Sequence, residues 1–202
     1  VSCMCSDPDD PLTMWAGTGE ATTLFASIFE QNGQGIFKTT DGGVNWERIP
    51  LQGPTFKVTP GVTSVWSIEV FKGLPVALCV TRSQADLYNA NDGIIINSIP
   101  TSDYHSPMYK HNGVLYTANN GKLYSLTSLD GQWSSETAIS NVTGHARLAF
   151  DSNVIYLYAE YPQGELVKRP PTGSWQTIAN IDNVGNYTIT QNGYSFGLHM
   201  NP

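Results

Sequence analysis

Two turn signals recur along this chain at a spacing near forty residues, and that period limits what the chain can become. The first precedes a strand-like run: His111-Asn112-Gly113-Val114-Leu115-Tyr116, Asp151-Ser152-Asn153-Val154-Ile155-Tyr156 and Gln191-Asn192-Gly193-Tyr194-Ser195-Phe196, at offsets of 40 and 40. The second marks a reversal before an outer strand: Asp41-Gly42 before Trp46, Asp92-Gly93 before Ile94, Asp130-Gly131 before Trp133 and Thr172-Gly173 before Trp175, at offsets of 51, 38 and 42. Two interleaved markers with one shared period describe a single supersecondary unit copied along the polypeptide, and four short strands fill each copy. Such a unit hides its apolar faces only by stacking on its own copies. No window carries a sustained 3.6-residue apolar period with caps, whereas alternation such as Val114 to Ala118 suits a strand. The expected fold is all-β, a β-propeller-like array of four-stranded antiparallel blades.

The expected blades cover about 1–49, 63–99, 104–138 and 144–178, with a partial fifth over 185–202. Residues 1–202 thus read as one propeller domain or a propeller fragment of about four and a half blades. Ring closure, a larger ring and edge pairing in an assembly all stay open. In the first unit the expected strands are Leu12 to Gly17, Ile36 to Thr40 and Val44 to Ile49, with an inserted loop over 21–34 that includes the apolar run Leu24 to Phe29. The second unit has Ile94-Ile95-Ile96 where other units place a tryptophan.

The best-marked reversal is Thr39-Thr40-Asp41-Gly42-Gly43-Val44-Asn45-Trp46. The Asp41 carboxylate can accept from backbone N–H groups further on, the glycines admit φ > 0, and the Trp46 indole needs a partner. The pattern Thr39-x-Asp41-x-Gly43-x-Asn45-Trp46 resembles the Asp-box (BNR-type repeat) of sialidase-like and sortilin-like β-propellers, with Asn45 where a Thr is usual. Together with Asp7-Pro8-Asp9-Asp10-Pro11 and Trp15-Ala16-Gly17-Thr18-Gly19-Glu20, it resembles the opening blade of bacterial sortilin-like repeat proteins over about residues 1–49. The resemblance implies a blade hairpin and no particular chemistry.

Composition narrows the function classes. Charged residues are 13% of the chain and the formal net charge is −7, with only ten Lys and Arg, which argues against a nucleic-acid binder. No apolar run approaches the ~18 residues of a membrane span. A hydrogen-bonding rather than ionic surface and the sequons at Asn141 and Asn186 suit an extracellular or secreted glycoprotein, at the cell surface or free, while the start at Val1 without an initiator Met fits a removed signal peptide and a trimmed chain alike. Cys3 and Cys5 are too close in sequence for an easy mutual bridge, and Cys79 sits in an apolar run as a small hydrophobe. A bridge from the N-terminal pair to Cys79 is the lesser expectation.

Candidate site residues divide the same way. Asp41 and the recurring Trp46, Trp133 and Trp175 read as structural. Glu20, after two glycines, together with Tyr104 and Tyr161 are candidate ligand contacts, amid further tyrosines at 109, 116, 124, 156 and 158 that suit sugar stacking or ordinary strands. Asp7, Asp9 and Asp10 form an acidic cluster that fits a solvated turn better than a calcium loop. Glycoside hydrolysis needs two carboxyl groups roughly 5–9.5 Å apart; Glu69, Asp86, Asp103, Glu136, Glu160 and Glu165 supply carboxyls without revealing a pair. No sialidase-type arginine context and no nucleophile motif is present, so no catalytic residue, metal site or cofactor is expected. The expected function is a non-catalytic recognition or assembly module for a glycan or protein ligand, with self-association through sheet edges as a further route. The alternatives are a fragment of a glycoside hydrolase propeller and a subunit of an extracellular polymer.

Overall fold

The computed structural model of the protein describes residues 1–19, 33–52, 64–80, 85–99, 106–140, 143–161 and 164–180. Glu20, Tyr104, Asn141, Asn186, the run Leu24 to Phe29 and the partial blade over 185–202 lie outside the described residues, and of Tyr161 only its place in a strand is described. Among the described residues there is no helix.

Among the described residues sixteen strands form four four-stranded antiparallel sheets, each a meander in chain order. The first holds β1 (Cys3–Ser6), β2 (Met14–Gly17), β3 (Ile36–Thr39) and β4 (Glu47–Ile49). The second holds β5 (Ser64–Phe71), β6 (Leu74–Val80), β7 (Ala85–Asn89) and β8 (Ile95–Ile99). The third holds β9 (Tyr109–His111), β10 (Val114–Asn119), β11 (Lys122–Leu126) and β12 (Ser134–Thr137), and the fourth β13 (Thr143–Asp151), β14 (Val154–Tyr161), β15 (Glu165–Arg169) and β16 (Gln176–Asn180). This is the all-β, propeller-like array of four-stranded blades that the forty-residue period implies. The chain also divides into two compact units, 1–103 with 107–115 and 126–133, and 104–106 with 116–125 and 134–202, so the third sheet contributes to both.

Tight hairpins explain the period. Asn112 and Gly113 have φ of 47° and 73°, the positive pair that a two-residue type I′ turn requires between twisted strands. Lys72 and Gly73 (51° and 79°) do the same between β5 and β6, and Ser152 (53°) opens the β13–β14 turn. The marker at 112 and 152 therefore starts one unit earlier, at residue 72, where a lysine hides it.

Two first-sheet strands begin later than expected. Leu12 belongs to a turn, because its N–H donates to Asp10 Oδ1 and Thr13 N–H donates to the Asp10 carbonyl, so β2 starts at Met14 and not at Leu12. Residues 44 to 46 are likewise drawn back into the Asp41 turn, and β4 starts at Glu47. The inner strand Cys3–Ser6 pairs with β2 and completes the sheet from the N-terminal side.

In the first unit the core runs between the first two sheets through Trp15, Ile36, Ile49, Val65, Ile68, Ala77 and Tyr88. Their approach is close: a Cβ on Gly17 would lie 2.5 Å from Val65 Cγ1 and 2.6 Å from Cys3 Sγ. Val65 N–H donates to the Thr18 carbonyl at 3.0 Å, tying the sheets by backbone as well. Strands β5 and β6 are buried along nearly their whole length, which is why Leu74 to Val80 is continuously apolar. Outer strand β12, Ser134-Ser135-Glu136-Thr137, is largely exposed and polar.

Candidate functional site

The turn between β3 and β4 is built around one carboxylate. Asp41 Oδ1 accepts from Asn45 N–H at 2.9 Å and from Thr39 Oγ1 at 2.7 Å, and Oδ2 accepts from Asn45 Nδ2 at 2.7 Å. Thr39 Oγ1 in turn accepts from Gly43 N–H at 3.0 Å, and Trp46 Nε1 donates to the Gly43 carbonyl at 3.1 Å. Gly42 and Gly43 hold φ of 72° and 92°, which a side chain would strain. All five residues singled out in the sequence, Thr39, Asp41, Gly43, Asn45 and Trp46, thus share one hydrogen-bonded loop. The Asn45 amide, first through its backbone and then its side chain, lowers the Asp41 carboxyl to about 2. Asn45 thus serves Asp41 twice, once from its backbone and once from its side chain.

The second and third turns keep the acid and change its partners. Asp92 Oδ1 accepts from Ile94 N–H at 3.0 Å and Oδ2 from Asn89 Nδ2 at 2.8 Å. That turn also docks on the first sheet's exit, where Gln52 N–H donates to the Gly93 carbonyl at 2.7 Å. Asp130 accepts from Ser128 Oγ, which lowers its pKa, while Asn97 Nδ2 grips the Leu129 and Gly131 carbonyls at 2.9 and 2.8 Å. In the fourth sheet Thr172-Gly173 carries no acid; there the Arg169 guanidinium lies 5.6 Å from the centroid of the Trp175 ring.

Other carboxylates are engaged as well. Asp7 accepts from Asp9 N–H, and Asp10 from Leu12 N–H and Thr13 Oγ1, so the acidic cluster of the N-terminal turn closes its own backbone. Asp86, fully buried, accepts from Ser98 Oγ at 2.6 Å, and Glu165 accepts from Thr177 Oγ1 at 2.8 Å. Glu69 alone among the described carboxyls shows a raised pKa, caused by burial and opposed by Lys110. No grouping of three or more metal-ligating side chains occurs among the described residues. Cys3, Cys5 and Cys79 are free thiols; burial pushes Cys3 up to about 11 and the buried Cys79 well above its ordinary value.

Within the second unit, β11 and β12 run Leu123 opposite Glu136 and Ser125 opposite Ser134, so these four share one face. On the fourth sheet Arg169 pairs with Ile155, and Leu157 with Val167, on the face that also carries Phe150. Arg169 Nη1 donates to Glu136 Oε1, and Tyr116 packs on Phe150 with ring centroids 5.3 Å apart. Beside the ion pair opens a shallow depression of about 250 Å3 lined by Leu123, Ser125, Ser134, Ser135, Glu136 and Arg169. Sequence reading names Glu136 among the candidate carboxyls and does not join it to Arg169, since 33 residues lie between. Of the flagged tyrosines, Tyr124 is buried, Tyr116 faces the fourth sheet, and Tyr156 and Tyr158 share the opposite face of β14.

No known protein family and no curated protein matches the sequence. Among solved structures the chain is similar to dihydro-heme d1 dehydrogenase NirN in complex with DHE, at 15% identity and a TM-score of 0.50 over 88% of this chain and 36% of that one. It is also similar to the computationally designed Ika8 protein (10% identity, TM-score 0.45, 89% of this chain and 60% of that one). A third is YCF48 bound to D1 peptide (17%, 0.37, 74% and 64%). The chain spans less than two thirds of each of these three. At 15% identity the likeness to NirN bears on the fold alone and on nothing that it binds or catalyses.

Proposed function

We propose that the chain is a non-catalytic recognition or assembly module of the extracellular space, presenting the outer turns and strands of its blades to a glycan or protein ligand. The observation that carries this reading is where the carboxylates go. Asp7, Asp10, Asp41, Asp92 and Asp130 close turns, Asp86 and Glu165 accept side-chain hydroxyls, and Glu136 pairs with an arginine. Acid–base hydrolysis instead needs one carboxyl with a raised pKa facing a second across a cleft, and the raised Glu69 has Lys110 as its acting charge. The Thr39–Trp46 loop reads in this light as an Asp-box of sortilin-like type, a blade fastener. A hydroxyl- and amide-rich outer surface, the exposed residues of β12 and the sequons at Asn141 and Asn186 favour secretion and contact with polyhydroxylated or polar partners.

A glycan array run beside a glycoside hydrolysis screen tests it on the whole chain. Retention on the array or capture of an extracellular protein without turnover is the expected result. Hydrolysis that vanishes on Glu69→Gln or on neutralising any other single carboxylate would replace this reading with an enzyme. Light scattering of the same sample reports whether exposed outer strands associate into larger particles.

A further inference from the structure

We propose that the depression beside the Glu136–Arg169 pair is a subsite for one neutral sugar ring, held through two vicinal hydroxyl groups; this rests on the recognition reading above and assigns it a place and a ligand class. The carboxylate and guanidinium sit side by side and cancel, so an ion gains little by entering. A diol, in contrast, offers a donor and an acceptor at neighbouring positions. One hydroxyl donates to Glu136 while the next accepts from Arg169, whose guanidinium has five N–H donors and spends Nη1 on the carboxylate. The two side chains keep 29% and 38% of their surface, enough to reach a ligand and little enough to be partly desolvated beforehand.

The surroundings select the ligand class. Ser125 and Ser134, on the face of Glu136, add hydroxyls that donate and accept alike, which matches the edge of a sugar and its bridging waters. Leu123, the single apolar lining residue, is almost wholly buried, so the lining that a ligand meets is polar. A peptide side chain anchored in a pocket calls for a broader apolar wall than this. The volume of about 250 Å3 is below the roughly 300 Å3 at which drug-sized sites begin, so one ring fits. Trp175, against the guanidinium, limits its rotamers and leaves less ordering to be done on binding.

Saturation-transfer NMR on the full chain with maltose, lactose and cellobiose, each titrated to tens of millimolar, reads the site, with tri-alanine as the peptide control. Weak binding of at least one disaccharide is expected, insensitive to salt because no net charge is neutralised. Glu136→Gln and Arg169→Ala should each weaken it about tenfold or more, the loss of one charge-assisted hydrogen bond. Ser134→Ala, which leaves the ion pair intact and so guards against misfolding, should weaken it about threefold. No transfer to any of the three sugars, or preferred transfer to tri-alanine, overturns the subsite. Sugar binding that all three variants preserve also overturns it while leaving the recognition reading standing, and the array decides that reading separately.

Discussion

The first and fourth outer turns occupy one step of the repeat and are held by unlike forces. At Thr39 to Trp46 a carboxylate gathers backbone and side-chain donors, and the indole N–H closes on the Gly43 carbonyl. At Thr172 to Trp175 no acid is present, the ring is covered by Arg169, and Trp175 Nε1 has no partner among the described residues. The repeat therefore requires a reversal at this step and leaves the fastening to local chemistry. The second turn shows a third solution, docking on the chain at Pro50 to Gln52 without a tryptophan.

The largest effect should come from that docked turn. A Cβ on Gly93 would sit 2.2 Å from the Pro50 carbonyl oxygen, at a φ of 72°, so Gly93→Ala should destabilise the chain on the order of 3 kcal/mol by urea titration. A change under half of that would mean the turn stands without its dock. Next, Thr39→Ala removes a buried hydroxyl that serves Asp41 and Gly43 and should cost about 1–2 kcal/mol. Thr172→Ala, at the exposed fourth turn, should fall within about 0.5 kcal/mol. Equal losses at the two threonines would erase the contrast. Smaller again, Trp46→Phe gives up the Nε1 bond and should cost about 1 kcal/mol, whereas Trp175→Phe gives up none and should cost about half as much.

Acid should also separate the two turns. Asp41 is held at about 2 against an ordinary 3.8, so its folded form binds fewer protons than the unfolded chain. The stability it contributes is present above 3.8 and is lost as pH falls toward about 2. Asp41→Asn should flatten acid unfolding across that window, measured by thermal melts at stepped pH. Glu69 has the opposite sign: its raised value makes protonation favour the folded state, so it adds stability as pH falls through its folded pKa.

Much of the fold was legible because turn chemistry is local. Asp41, Gly42 and Gly43 state their conformation in three letters, and the Asn112-Gly113 pair states a type I′ hairpin. Its counterpart Lys72-Gly73, 40 residues earlier, is legible only as the break between the apolar runs ending at Phe71 and starting at Leu74, since lysine rarely takes positive φ and so carries no turn signal of its own. The inner strand Cys3–Ser6 was likewise obscure: four residues flanked by a proline-rich turn show no period of their own and are fixed by pairing with β2. The depression was beyond reach for a related reason. Glu136 and Arg169 meet only through the stacking of two blades, and neither residue lies in a local motif; the usable signal was that each sits near the tryptophan of its own outer turn, Trp133 and Trp175.

In this chain Asp7, Asp10, Asp41, Asp92 and Asp130 fasten turns. A carbon-detected NMR titration that follows every Asp and Glu carboxyl from neutral pH to strong acid tests it directly. Asp41 should titrate near 2 and Asp130 below its ordinary 3.8, each in a single step, with Glu69 above its ordinary 4.5. Two carboxyls titrating in coupled steps, one of them near neutrality, would contradict it and mark a catalytic pair.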